Sequence, residues 1–203
     1  MSEPRCKTRR WRPDITPVVV LLLLALPLLL GFKQYSNEAI VRHFDIIVFN
    51  SEHRQMTVKE VRKWVVPIRI YLDVRVPNPE HYRKLTQATV DKLAAASGLD
   101  IRIVHRKEVA NVVSTFDRMD GLLASAEAYF PADEWIKQLI NTNLCISRFF
   151  ANDRGEIYKA NIFIPTDRSS SAGMLPACVI EETAQILGLP NDSDEIHFSI
   201  FND

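Results

Sequence analysis

The hydrophobic positions of this chain change rhythm along its length. From Ile15 to Phe32 the sequence carries no charge over 18 residues and is interrupted by Thr16, Pro17 and Pro27. That is just long enough to cross a bilayer as a helix. Beyond it the apolar runs are short and separated by turn residues. FDIIVF (44–49) reads as a strand. Thr57 and Glu60 have capping-box spacing and predict a short helix that turns Val61 and Trp64 inward and ends at Pro67. IRIYLDV (68–74) alternates as a half-buried strand does. Asn78 caps a helix with Pro79 in its first turn. Tyr82, Leu85, Ala88, Thr89 or Val90, Leu93 and Ala96 then recur at helical spacing until Gly98.

The second half continues in the same manner. Residues 100–104 and 111–116 predict strands, and 121–130 and 133–140 predict helices broken by Pro131. Residues 144–150 and 157–164 predict strands joined by the hairpin-like connection NDRG (152–155). The serines at 169–171 read as a short loop, and 178–187 as the last helix, stopped by Gly188 and Pro190. The expectation is an α+β chain: an N-terminal transmembrane helix, then one domain with a mixed sheet and packed helices, one long helix against each side of the sheet.

Composition narrows the partners. The 203 residues include 25 basic and 25 acidic ones, for a net charge of zero. No overall field points to nucleic acid, and no phosphate-binding glycine loop occurs. Arg5, Lys7, Arg9, Arg10 and Arg12 precede the apolar stretch, with Trp11 beside them at the expected membrane interface. Residues 1–16 then read as a basic cytoplasmic tail, 17–35 as a signal-anchor helix and 36–203 as an exported domain. A cleaved signal peptide is the rival, but no small-residue cleavage pattern follows Leu30. The exported part, roughly 165 residues, is enough for one domain with its own core. Cys6 lies in the cytoplasmic tail. Cys145 and Cys178 lie beyond the anchor, where an exported chain keeps disulfides, so a Cys145–Cys178 bond is expected; two buried free thiols are the alternative.

Candidate chemistry concentrates in CVIEETAQILGLPND (178–192). From Glu181 the frame is E-E-x-x-Q-x-x-G-x-x-N, where a zinc protease would carry H-E-x-x-H-x-x-G-x-x-H. Glu181 and Gln185 share a helix face at i, i+4 and replace the two imidazoles. Glu182 stands where a general base would polarise water. Asn191 or Asp192 takes the third corner. Oxygen donors alone suit zinc poorly, so no metal is expected; a hard divalent cation on Glu181, Gln185 and Asp192 is the alternative. An ordinary helix stopped by a glycine accounts for the same spacing. His43, His53, His81, His105 and His197 form no ligand pair by spacing. His197, nearest the frame, would reach it only if the chain folds back.

Several segments together resemble a known family. They are FDIIVF (44–49), RKWVVPIRI (62–70), SGLDI (97–101) with Ala110-Asn111, Cys145, ANIFI (160–164), Cys178, the Glu181–Asp192 frame and Ser199-Ile-Phe201. They are similar to the bacterial family catalogued as domain of unknown function 2927. The resemblance spans roughly residues 44–203. It implies a single-pass protein of the bacterial inner membrane with its C-terminal domain in the periplasm, and a fold like that of the zincin peptidases. In such folds the strand above the active helix can pair with an extended ligand. ANIFI, with Asn161, is the candidate for that edge strand, and an internal strand is the alternative. Glu181 in place of a histidine departs from a working peptidase. A non-catalytic site binding a peptide or cell-envelope protein through Glu181, Gln185, Asn191, Asp192 and Asn161 is therefore expected. A metal-dependent hydrolase with Glu182 as base is the alternative.

Overall fold

The computed structural model describes residues 35–50, 60–193 and 199–201. The proposed anchor helix, the Thr57 cap, His53 and His197 lie outside them. No helix among the described residues is long and apolar enough to cross a membrane. The elements run α1 (Asn37–Phe49), β1 (Lys63–Trp64), β2 (Ile68–Val74), α2 (Pro79–Ser97), β3 (Ile101–Val104), a 3-10 turn (Lys107–Val109), β4 (Val112–Asp117), α3 (Met119–Tyr129), α4 (Glu134–Thr142), β5 (Ile146–Ala151), β6 (Glu156–Pro165), α5 (Thr166–Ser171) and α6 (Leu175–Gln185).

The mixed sheet is there, and it is mostly parallel. Six strands pair in the order β1-β6-β4-β2-β3, with β5 on the other side of β6. Every pairing is parallel except β5 with β6. The parallel β2–β3 pair needs a crossover, and α2 supplies it. Alternation along the strands then sorts side chains onto two faces. Ile68, Ile70, Val112, Phe116, Ala160, Ile162 and Ile164 form the larger core with α2 and α6. Ile146 and Phe163 point the other way and pack with Leu122, Ala126, Ile136 and Ile140 of α3 and α4. The expected division of one long helix per face is thus replaced. The long helix α2 and the last helix α6 share one face, and two shorter helices cover the other.

Local signals explain most elements and their exceptions. Pro79 opens α2, and Gly98 closes it in a left-handed conformation (φ 72°) whose N–H reaches Ala94 O. Asn78 is itself left-handed (φ 63°) and makes no side-chain cap. It serves α2 as a residue that tolerates that conformation rather than as a hydrogen-bonding cap.

FDIIVF belongs to the helix α1, not a strand. A short apolar run fits either period, and here tertiary burial decides. His43, Ile47 and Val48 face inward at helical spacing, while Ile40, Val41 and Phe44 stay exposed. Ile47 packs against Ala184 and Phe201, and His43 Nε2 meets Ser199 Oγ at 3.0 Å. Lys63–Trp64, expected to be helical, form a strand beside the start of β6. The serines at 169–171 belong to α5, where Ser169 and Ser171 donate back to Pro165 O and Asp167 O.

ANIFI is not an edge. β6 lies between β4 and β5, and its last six residues, Ala160–Pro165, are all buried. Among the described strands β5, like β3 at the far end of the sheet, has an outer edge that no other strand pairs, and β5 is the one tied to α6. Asn161 also faces α3 and α4, opposite α6, since it sits between Ala160 and Ile162 of the other core and in register with Arg148. Its side chain is fully buried, and both its amide atoms lack a hydrogen-bond partner among the described residues. A buried amide left unpaired is destabilising by about 1–3 kcal/mol. Asn161→Val removes it and adds a residue that favours strands, so the urea midpoint should rise by the equivalent of roughly 1 kcal/mol. A lower midpoint would mean that the amide has a partner inside the fold.

Candidate functional site

Helix α6 presents Cys178, Glu181, Glu182 and Gln185 along one side, spaced at three, four and seven residues. That side borders a cleft of about 110 Å³, which Glu181, Glu182, Gln185 and Asp192 line together with the segment Asn143–Cys145. The neighbouring flank of the helix, with Leu175, Val179 and Ile186, enters the main core. The predicted spacing therefore does bring these site residues together. Glu182 is only 4% exposed and Gln185 only 6%, whereas Glu181 is half-buried.

Two covalent and polar links fix the cleft. Cys145, just before β5, is bonded to Cys178 in α6, with Cα atoms 5.8 Å apart. Further along, Ser147 Oγ donates to Gln185 Oε1 at 3.2 Å, and Gln185 Nε2 donates to Asp192 Oδ1 at 3.0 Å. One amide side chain thus ties β5, α6 and the returning chain. The two links follow from one register. From Cys145 to Ser147 is two residues along a strand, about 7 Å, and from Cys178 to Gln185 is seven along a helix, about 10 Å. Ser147 was not legible as a site residue, because its partner is remote in sequence. Its inward phase with Cys145, combined with the disulfide, was the available signal.

The helix exit explains the glycine of the frame. Gly188 adopts φ 108°, and a Cβ there would stand 2.1 Å from the backbone oxygen of Arg62. Trp64 Nε1 donates to Ile186 O at 2.8 Å in the same crossing. The chain then reverses: Ser193 N bonds to Phe201 O at 2.7 Å, which returns Asp192 to Gln185. Asn191 turns away from the cleft, its Nδ2 donating to Asp192 O at 2.7 Å. Of the two candidates for the third corner, Asp192 lines the cleft and Asn191 does not.

The donor set does not fit zinc. Among the described residues no imidazole borders the cleft, the two sulfurs are joined to each other, and the Gln185 amide is engaged at both ends. Among the described residues no three His, Cys, Asp or Glu side chains are placed to hold a metal. The cleft offers two carboxylates at α6, a third from Asp192 and a strand edge alongside.

Comparison with curated proteins and with solved structures returns no match. The family model described as "Protein of unknown function (DUF2927)" matches residues 37–203, covering α1, the whole sheet and the α6 cleft, and the chain belongs to that family.

Proposed function

We infer that the chain is a membrane-anchored envelope protein whose zincin-like domain keeps the shape of a peptidase cleft and binds an extended peptide segment there without cleaving it. The observation that carries this reading is Gln185. It occupies the second ligand position of the H-E-x-x-H frame, yet it serves as a crosslink from Ser147 to Asp192. The placement of α6 beside an antiparallel edge strand supports the likeness to zincins. β5 offers main-chain groups to an incoming strand, as in β-augmentation. The basic flank and the uncharged stretch from Ile15 to Phe32 support the anchor and an exported domain.

One observation favours a hydrolase instead. Glu182 is a carboxylate 4% exposed on the wall of a cleft, the environment of a poised general base. The two readings separate on the full chain purified in detergent. With a pool of unstructured 14-residue peptides added, hydrogen exchange of the 146–151 amides should slow, the peptides should stay intact, and Glu182→Gln should leave binding unchanged. A stoichiometric divalent ion, with peptide cleavage lost in Glu182→Gln, would establish the hydrolase. Unchanged exchange in β5 at saturating peptide would remove the binding reading.

A further inference from the structure

Arg62 lies just before β1, with its guanidinium 5.2 Å from the centre of the Phe149 ring. Its Nε and Nη2 are buried and meet no hydrogen-bond acceptor among the described residues. None of the salt bridges among the described residues involves it. The other half-buried arginines differ. Arg69 reaches Asp100, Arg148 reaches Asp133, and Arg168 reaches the carbonyls of Asn141 and Asn143. Burial pushes the Arg62 guanidinium below its ordinary pKa, but an arginine stays charged at neutral pH. A desolvated cation without a counter-charge is costly to fold around. Residues kept in that state recur where a ligand supplies the missing charge.

The space around it is shaped for a small group. Arg62, Phe149, Asn152 and Gly155 line a cavity of about 240 Å³, and the exposed Glu60 and Asp153 stand at its rim. Phe149 is two residues beyond Ser147 on β5, so the two side chains share the α6 face. A strand added to the outer edge of β5 over the cleft would continue past Phe149 into this cavity.

We propose that the Arg62–Phe149 cavity is a carboxylate-binding subsite, which takes a singly charged carboxylate of the extended segment held on β5. In the identity of its ligand the proposal rests on the peptide reading above. Arg62 lines the cavity, and a rotation of its guanidinium would turn the two unpaired N–H groups toward both oxygens of a carboxylate, with Phe149 against the adjoining carbon. Repulsion from Glu60 and Asp153 grows with ligand charge, so a carboxylate fits better than a dianionic phosphate.

The test uses the full chain in micelles with ¹⁵N-labelled arginine. N-acetylglycine should shift the Arg62 Nε–H resonance saturably, N-acetylglycinamide should not, and Arg62→Gln should abolish the response. Arg62→Lys keeps the charge without the fork and should bind at least 10-fold more weakly. An Arg62 resonance unmoved by N-acetylglycine overturns the subsite. Paired peptides then locate the source of the carboxylate. Exchanging Glu for Gln in the sequence, or the C-terminal acid for its amide, should weaken binding at least 10-fold in whichever case removes the group held. In Arg62→Gln the same exchange should have no effect. Equal affinity for all of these peptides overturns the assignment to a peptide carboxylate. If N-acetylglycine binds and no peptide does, the subsite stands and the β5 docking reading falls.

Discussion

Reducing the Cys145–Cys178 bond should lower the melting temperature by about 7–15 °C. The bond closes a sequence separation of 33 residues. Loop-closure entropy for that length corresponds to about 3–4 kcal/mol, and a domain near this size loses roughly 2–4 °C per kcal/mol. The loop it closes contains β5, β6 and α5, so the reduced chain gains freedom in the segment that builds one wall of the cleft. The disulfide also sets the register that lets Ser147 meet Gln185. Two readouts follow. Calorimetry with and without reductant gives the shift in midpoint. Hydrogen exchange under reductant should show β5 opening at lower free energy than β2 or β4 in the centre of the sheet. Wild-type protein suits this better than alanine variants, because Cys178 is only 1% exposed and its truncation would add a cavity. A shift under 2 °C, or protection lost uniformly across the sheet, would show that packing alone holds β5 to α6.

Much of the domain can be read from local pattern, and its misreadings have a common cause. α2 is framed by Pro79 and Gly98, and β2 alternates strictly, so both follow from rules that need no distant partner. α6 and its cleft-facing residues come from i, i+4 spacing alone. Where burial is decided by another element, the sequence is ambiguous. FDIIVF has no period strong enough to choose between strand and helix, and contacts with Ala184 and Phe201 choose helix. β1 is a strand only because the start of β6 is there to receive it. The exchange of edge and interior strands is different, since a signal existed. The continuous apolar run of β6 is that of a strand covered on both faces, while Ser147 and Arg148 mark β5 as the half-open one. Arg62 and Phe149 could not be paired in advance, because their meeting depends on β1 and β5 flanking the same strand.

Gly188→Ala should destabilise the domain by ~3 kcal/mol or more, a melting shift of roughly 6–12 °C, and the effect distinguishes two reasons for a glycine in the frame. One reason is conformational. Gly188 has φ 108°, and a side chain in that region costs about 1–2 kcal/mol. The other is steric. The added Cβ would lie 2.1 Å from the Arg62 oxygen, which is backbone and not a flexible tip. That backbone is held in place, since Lys63 N bonds to Gly155 O and Trp64 Nε1 to Ile186 O. Relief would have to come from displacing β1 or the helix exit, and the latter carries Asp192 away from Gln185. Gly98 supplies the control. It is also left-handed, at φ 72°, but nothing lies within 4 Å of its missing Cβ. Gly98→Ala should therefore cost only about 1 kcal/mol. If the two substitutions cost the same, the crossing of β1 beneath the α6 exit is looser than the structure shows it. If Gly188→Ala costs several-fold more, the glycine that lends the frame its peptidase look is required by a backbone crossing. Its presence then needs no metal ligand to follow it.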